Sequence, residues 1–198
     1  MHLFNSLIKH INKILLYSYE FRLLKQFLII KGFGMNIKKT ASKIKLLALD
    51  FDGVLTNNKV IVNENGEESI ICSRSDGYGI YNLINPSEIE TIVISLETNK
   101  VVEARCKKLA IAHYYGVKDK LLLLQRICKE KKIKLDEVCY MGNDAADLSC
   151  IEAAGLGACP ADAEKEVKEK ASYICKMNGG NGAVREICEL LLNARKEL

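Results

Sequence analysis

From residue 43 onward the hydrophobic and polar positions switch between two periods. The apolar run at 44–49 (IKLLAL) and the run at 91–95 (TIVIS) suit strands buried on both faces. Between them, KVIVNENGEESIICS holds two β-rich segments around Asn65-Gly66, which predicts a hairpin. DGYGIYNLI reads as a short helix halted before Pro86. Further on, VVEARCKKLAI has helical apolar spacing, AHYYG a short strand, and DKLLLLQRICKEKK a second amphipathic helix. EVCYMG and LGACP predict two more strands, with the helix AADLSCIEAAG between them. AEKEVKEKA and GAVREICELLLNARKEL complete the pattern as helices.

Strands alternating with helices of this length predict βαβ units and a doubly wound parallel sheet, α/β in class. Ligands of such sheets sit beyond the carboxyl ends of the strands. The polar residues gather there: Asp50 and Asp52, Ser95, Lys118 and Lys120, then Asn143, Asp144 and Asp147, each after an apolar run.

Charge divides the chain unevenly. Residues 1–34 carry five basic side chains and one acidic (Lys9, Lys13, Arg22, Lys25 and Lys31 against Glu20), a net of +4 that equals the net charge of the whole 198-residue chain. The remainder is neutral, which argues against nucleic-acid binding by the body. The first 34 residues are apolar but broken by charge every few positions, so the sequence predicts no transmembrane segment and no signal peptide there. They read as a basic apolar extension, helical in pattern, placed before a domain that spans 35–198 and opens at Met35. Eight cysteines lie scattered with no C-x-x-C pair, which disfavours zinc and fits a reducing, cytoplasmic setting.

Carboxylates from neighbouring strand tips would repel one another in a partly dry pocket. A hard divalent cation such as Mg²⁺ relieves that cost and keeps waters that a phosphate can replace. A lysine and a hydroxyl beside it suit phosphoryl oxygens, and an aspartate can act as nucleophile. Two non-catalytic or signalling roles share some of these residues: a receiver-like phosphoacceptor, and a catalytically weak oligomerisation module.

DFDGVLT (50–56), Ser95 ending TIVIS, Lys120 in GVKDK and GNDAAD (142–147) resemble, in order and spacing, the motifs of the haloacid dehalogenase-like phosphatases. The resemblance covers about residues 43–195 and implies a Rossmann-like core. It implies Asp50 as nucleophile, Asp52 as general acid/base, and Ser95 and Lys120 as ligands of the phosphoryl group. Mg²⁺ would be held by Asp50, Asp52 and the turn at Asn143 and Asp144, with Asn143 standing where the family usually has an aspartate. NENGEE, SDGYGI, GVKDKL, PADA and GGNGAVREICELLL are similar to the capless branch acting on 3-deoxy-D-manno-octulosonate 8-phosphate or nonulosonate 9-phosphates, in sialic-acid or lipopolysaccharide biosynthesis. That branch implies a β-hairpin flap, no cap domain, and a homotetramer in which a neighbour's hairpin or tail closes the site. Gly53, Thr56, Arg74, Asp76, Glu97 and Lys108 are then the expected substrate contacts. SLE in place of a TGR motif, and Asn181 in place of an arginine, remove groups suited to the octulosonate. Glu97 and Lys108 resemble the glutamate–lysine pair of the nonulosonate enzymes, so the sequence leans toward a sialic-acid-like 9-phosphate, with the octulosonate 8-phosphate as alternative. The similar C-terminal region of some CMP-sialate synthetases represents the weakly catalytic option.

Overall fold

The computed structural model describes residues 36–196. The expected extension at 1–34, its boundary at Met35 and the last two residues of the terminal helix lie outside the described residues. The described chain opens with a single helical turn, α1 (Ile37–Ala41), and then enters β1 (Leu46–Leu49). Every residue of β1 is fully buried, which its uninterrupted apolar sequence requires. The antiparallel pair β2 (Thr56–Val62) and β3 (Glu68–Cys72) forms a separate flap joined through the predicted Asn65-Gly66 turn.

The rest winds as strands and helices in turn: α2 (Arg74–Tyr78) running on into a π-helical turn at Gly79–Ile84, β4 (Glu90–Ile94), α3 (Val101–Leu109), β5 (Ala112–Tyr114), α4 (Lys120–Lys131), β6 (Val138–Met141), α5 (Leu148–Ala153), β7 (Leu156–Cys159), α6 (Lys165–Lys170), β8 (Tyr173–Ile174) and α7 (Ala183–Lys196). Six strands make one parallel sheet in the order β5-β4-β1-β6-β7-β8. The expected doubly wound α/β core is therefore present. Between β1 and β4 the described chain holds only the flap and α2 with its π turn, so there is no cap domain.

Successive residues of β1 point to opposite faces. Leu47 and Leu49 join one core with Val184, Ile187 and Leu191 of α7; Leu46 and Ala48 join the other with Leu124 of α4 and Ile151 of α5. Leu49 lies level with Val93 on one side and with Met141 on the other. Three strands thus finish in a row, and the chain leaves β1 toward opposite sheet edges. This central strand end is the topological switch point where doubly wound sheets bind ligands.

Local departures from the sequence-based expectation have local causes. The helix expected at 76–84 starts at Arg74, because the Ser73 hydroxyl accepts the backbone N–H groups of Ser75 and Asp76 (3.1 and 3.3 Å). It widens at Gly79, where an added Cβ would stand 3.0 Å from the Arg185 Cα. The helix expected at 145–155 opens with a 3₁₀ turn at Ala145–Asp147. β8 and α1 are too short to carry a periodic signal in the sequence.

Candidate active site

The chain beyond β1 turns sharply at Gly53, whose φ of +73° is a left-handed conformation open to glycine. A Cβ there would also collide with the Asn143 side chain, so the glycine lets the loops after β1 and β6 meet. The buried Thr56 hydroxyl accepts the N–H of Gly53 and of Asn58 (each 3.2 Å) and donates to Asp52 Oδ1 at 3.3 Å. Gly53 and Thr56, expected as substrate contacts, form the turn that positions Asp52.

Asp50, Asp52, Ser95, Glu97, Lys120, Asn143 and Asp144 line one cavity of about 210 Å³, together with Asn58, Leu96 and Ala146. The four residues expected to carry the chemistry and the side chains expected to hold a metal are therefore brought together. Asp50 follows β1, Ser95 follows β4, Lys120 begins α4, and Asn143 and Asp144 follow β6.

Asp147, which the sequence-based site omits, organises this cluster. Fully buried, its Oδ1 accepts Lys120 Nζ and the Tyr140 hydroxyl, each at 2.8 Å. Its Oδ2 accepts the N–H of Asn143 (3.0 Å) and of Asp144 (3.3 Å). Gly142 leaves room for this, since a Cβ there would overlap the Asp147 side chain. The available signal was the second acidic residue of GNDAAD, three positions after Asp144, at the spacing of a capping box.

Lys120 also meets Asp50 Oδ1 at 2.8 Å and is itself nearly fully buried. Burial opposes its charge, but Asp50 and Asp147 outweigh that and raise its pKa. One ammonium facing two carboxylates leaves a net negative charge. Burial first, and the charge of Asp147 second, push Asp50 up to about 7 despite Lys120. Burial likewise raises Asp52, with the Thr56 hydrogen bond acting against it.

The cavity has room and charge for a cation. Asn143 Oδ1 is buried with no hydrogen-bond partner, an arrangement that costs about 1–3 kcal/mol unless something pairs with it. Oxygen donors from Asp50, Asp52, Asn143 and Asp144 beside an uncompensated negative charge fit a hard divalent ion. Among the described residues no three His, Cys, Asp or Glu side chains form a metal cage, so the set depends on the Asn143 amide oxygen. Asp144 additionally caps the 3₁₀ turn, accepting the Ala145 N–H at 2.6 Å.

The structure places three of the expected substrate contacts outside this cavity. Asp76 is fully buried away from this cavity, with its oxygens taken by the N–H of Arg185 (2.9 Å) and Gly182 (3.1 Å) at the start of α7. Arg74 and Lys108 line a different pocket, with Cys72, Tyr78, Tyr81 and Arg105. Glu97 stays at the acidic cavity, where its Oε1 accepts the N–H of Thr98 and Asn99 (2.6 and 2.8 Å). The expected Glu97–Lys108 pair is thus split between two pockets, because Lys108 lies near the far end of α3.

Residues 115–187 match the family model described as haloacid dehalogenase-like hydrolase. The 3-deoxy-D-manno-octulosonate 8-phosphate phosphatase KdsC of Escherichia coli is 38% identical over 164 residues, 82% of this chain and 87% of that protein. Among solved structures, the 3-deoxy-D-manno-octulosonate 8-phosphate phosphatase of Moraxella catarrhalis, in complex with magnesium ion, phosphate ion and KDO, superposes with a TM-score of 0.78 at 35% identity, over 82% of this chain and 94% of that one. The corresponding Yersinia pestis phosphatase gives a TM-score of 0.79 at 33% identity, over 83% of this chain and 89% of that one. The chain belongs to the haloacid dehalogenase-like hydrolases and is an enzyme of their phosphoric monoester hydrolase kind. Neither the receiver-like nor the weakly catalytic alternative is needed to account for it.

Proposed function

We propose that this enzyme is a Mg²⁺-dependent phosphatase that hydrolyses 3-deoxy-D-manno-octulosonate 8-phosphate through an aspartyl-phosphate on Asp50. The observation that carries the reading is the convergence of Asp50, Asp52, Ser95 and Lys120 on one cavity at three strand ends. The Asp50 carboxylate attacks phosphorus while Asp52 gives its proton to the departing sugar hydroxyl. Asp52 then takes a proton from the water that cleaves the acyl phosphate. Its raised pKa suits the acid role, and Thr56 holds its orientation. Lys120 and the Ser95 hydroxyl receive the phosphoryl oxygens. Mg²⁺, held by Asp50, Asp52, Asn143 and Asp144, would supply charge neutralisation for the phosphoryl group.

The lean toward nonulosonate 9-phosphate rested on the missing TGR motif and arginine and on a Glu97–Lys108 pair, and the members of that pair line separate pockets. The relatives reported above are named for the octulosonate instead, which favours that substrate. A homotetramer remains part of the reading. Val60, Ile61, Val62 and Ile71 of the flap are each more than half exposed, an apolar surface suited to a second copy of the chain.

Steady-state rates on octulosonate 8-phosphate and nonulosonate 9-phosphate, with Mg²⁺ and after chelation, test the assignment. The octulosonate ester should be preferred, activity should need the ion, and Asp50→Asn should abolish turnover. Undiminished rates after chelation, or turnover by Asp50→Asn, would overturn the mechanism; preference for the nonulosonate would overturn the substrate.

A further inference from the structure

A second cavity, of about 290 Å³, adjoins the first and shares Asp52, Asn58 and Glu97 with it. Its walls come from two elements: the flap contributes Lys59, Glu68 and Ile70, and the segment after β4 contributes Asn99 and Val101. Asn99 Nδ2 donates to Glu68 Oε2 at 3.1 Å and so ties the flap to the body across this cavity. Asp52, placed to protonate the leaving alcohol, stands where the two cavities meet. The second cavity therefore lies on the leaving-group side of the reaction.

Asn58 occupies that same junction. Its φ of +60° is left-handed, a conformation asparagine tolerates better than most residues, and its N–H is fixed to the Thr56 hydroxyl. The pairing of β2 with β3 is irregular between Thr56 and Val60, so Asn58 lies where the ladder is broken and its side chain is not held in the strand alternation. Its side-chain amide makes no hydrogen bond to the rest of the described chain, and both a donor and an acceptor remain for a ligand.

We propose that Asn58 is a specificity-determining residue that hydrogen-bonds a hydroxyl of the leaving polyol next to the scissile ester, with Glu68 and Asn99 forming the far wall of the same polyol pocket. This rests on the phosphatase reading above and deepens it. The charge of the pocket indicates which end of a sugar acid enters. Asp52, Glu68 and Glu97 face Lys59 alone, so a substrate carboxylate would be repelled while hydroxyl donors are welcomed. The hydroxylated end bearing the phosphate enters, and the carboxylate of the sugar acid stays outside.

Asn58→Gly is the sharp test, because glycine accepts the left-handed backbone and only the amide is lost. The quantity to read is the ratio of kcat/KM on a polyol phosphate to kcat/KM on p-nitrophenyl phosphate, whose leaving group has no aliphatic hydroxyl. In Asn58→Gly the ratio should fall roughly 10-fold, mainly through KM, as expected when a substrate hydroxyl loses its partner. Glu68→Gln, which preserves size on the flap, should lower the same ratio. Ratios unchanged in both variants, or equal losses on both substrates, overturn the proposal. The panel also includes octulosonate 8-phosphate and hexitol phosphates. If the wild type prefers a hexitol ester and Asn58→Gly loses that preference, the substrate assignment fails while the role of Asn58 is supported. If no polyol phosphate is preferred over p-nitrophenyl phosphate, both fail.

Discussion

Asp147 makes four hydrogen bonds from a position with no solvent exposure, three of them to residues that line the site, Lys120 and the N–H groups of Asn143 and Asp144, and one to the buried Tyr140 hydroxyl. It need not touch substrate to control it, because Lys120 reaches Asp50 only while Asp147 holds the other side of its ammonium. Asp147→Asn keeps the shape but removes the charge that pairs with a buried lysine. Lys120 keeps Asp50 as a partner, but the amide nitrogen of an asparagine would face donors that the carboxylate accepts, leaving buried donors unpaired at about 1–3 kcal/mol each. We expect a large drop in melting temperature and a loss of turnover not rescued by more substrate. A variant that melts like the wild type and turns over normally would remove Asp147 from this role. In sequence the residue stands only as one more polar group after an apolar run, since its partners at 120 and 140 are brought near only by the sheet.

Among the elements, the turn before α7 is the least obvious participant. Residues 178–182 (NGGNG) read simply as the start of a helix. In the structure they lie backbone against backbone on the loop that carries Asp52: the Gly180 N–H donates to the Val54 carbonyl at 2.9 Å, and a Cβ on Gly179 would stand 1.8 Å from the Gly53 carbonyl oxygen. Asp162 secures the other side by accepting the Gly179 N–H at 2.9 Å. Gly179→Ala should therefore displace the Gly53 turn and cut kcat at least tenfold, a loss of 1.4 kcal/mol or more in transition-state stabilisation, while far-ultraviolet circular dichroism stays close to wild type. Full activity in that variant would show that the two loops move independently. Asp76 belongs to the same assembly, because it anchors Gly182 and Arg185 from the other side. Its place in the SDGYGI motif thus serves the docking of the start of α7.

At the scale of the molecule, eight free cysteines and two cores decide how the protein meets pH and thiol reagents. Burial, the first cause in each case, pushes Cys106 and Cys139 up to about 12 and Cys150 and Cys159 up to about 11, from an ordinary value of 9.0. Each folded pKa lies above its unfolded value. The stabilisation from protonated thiols is thus complete below pH 9.0 and is lost as pH rises through about 11 and about 12. The melting temperature should decline steadily across that alkaline range, and a flat profile would contradict the burial. Thiolate is the reactive form, so a disulfide reagent at about pH 8 should modify only the half-buried Cys72 in the folded enzyme and all eight thiols after unfolding.

What the sequence determined by itself was local in origin. The strand and helix periods, the Asn65-Gly66 hairpin, and the acids, hydroxyl and lysine at strand ends are written within a few residues of each other and depend on backbone geometry alone. They were enough for the α/β class and for polar residues gathered at strand ends, while the resemblance to the family singled out the four that line the cavity and implied the capless core. The tertiary structure alone decided which polar side chains share a pocket. It separated Lys108 from Glu97, turned Asp76 inward to residues 106 and 109 positions away, and left Asn58 with a free amide where two cavities join. Such choices depend on loops packing at close range, where a missing Cβ or one buried charge selects the neighbour, and no periodicity along the chain records that distance.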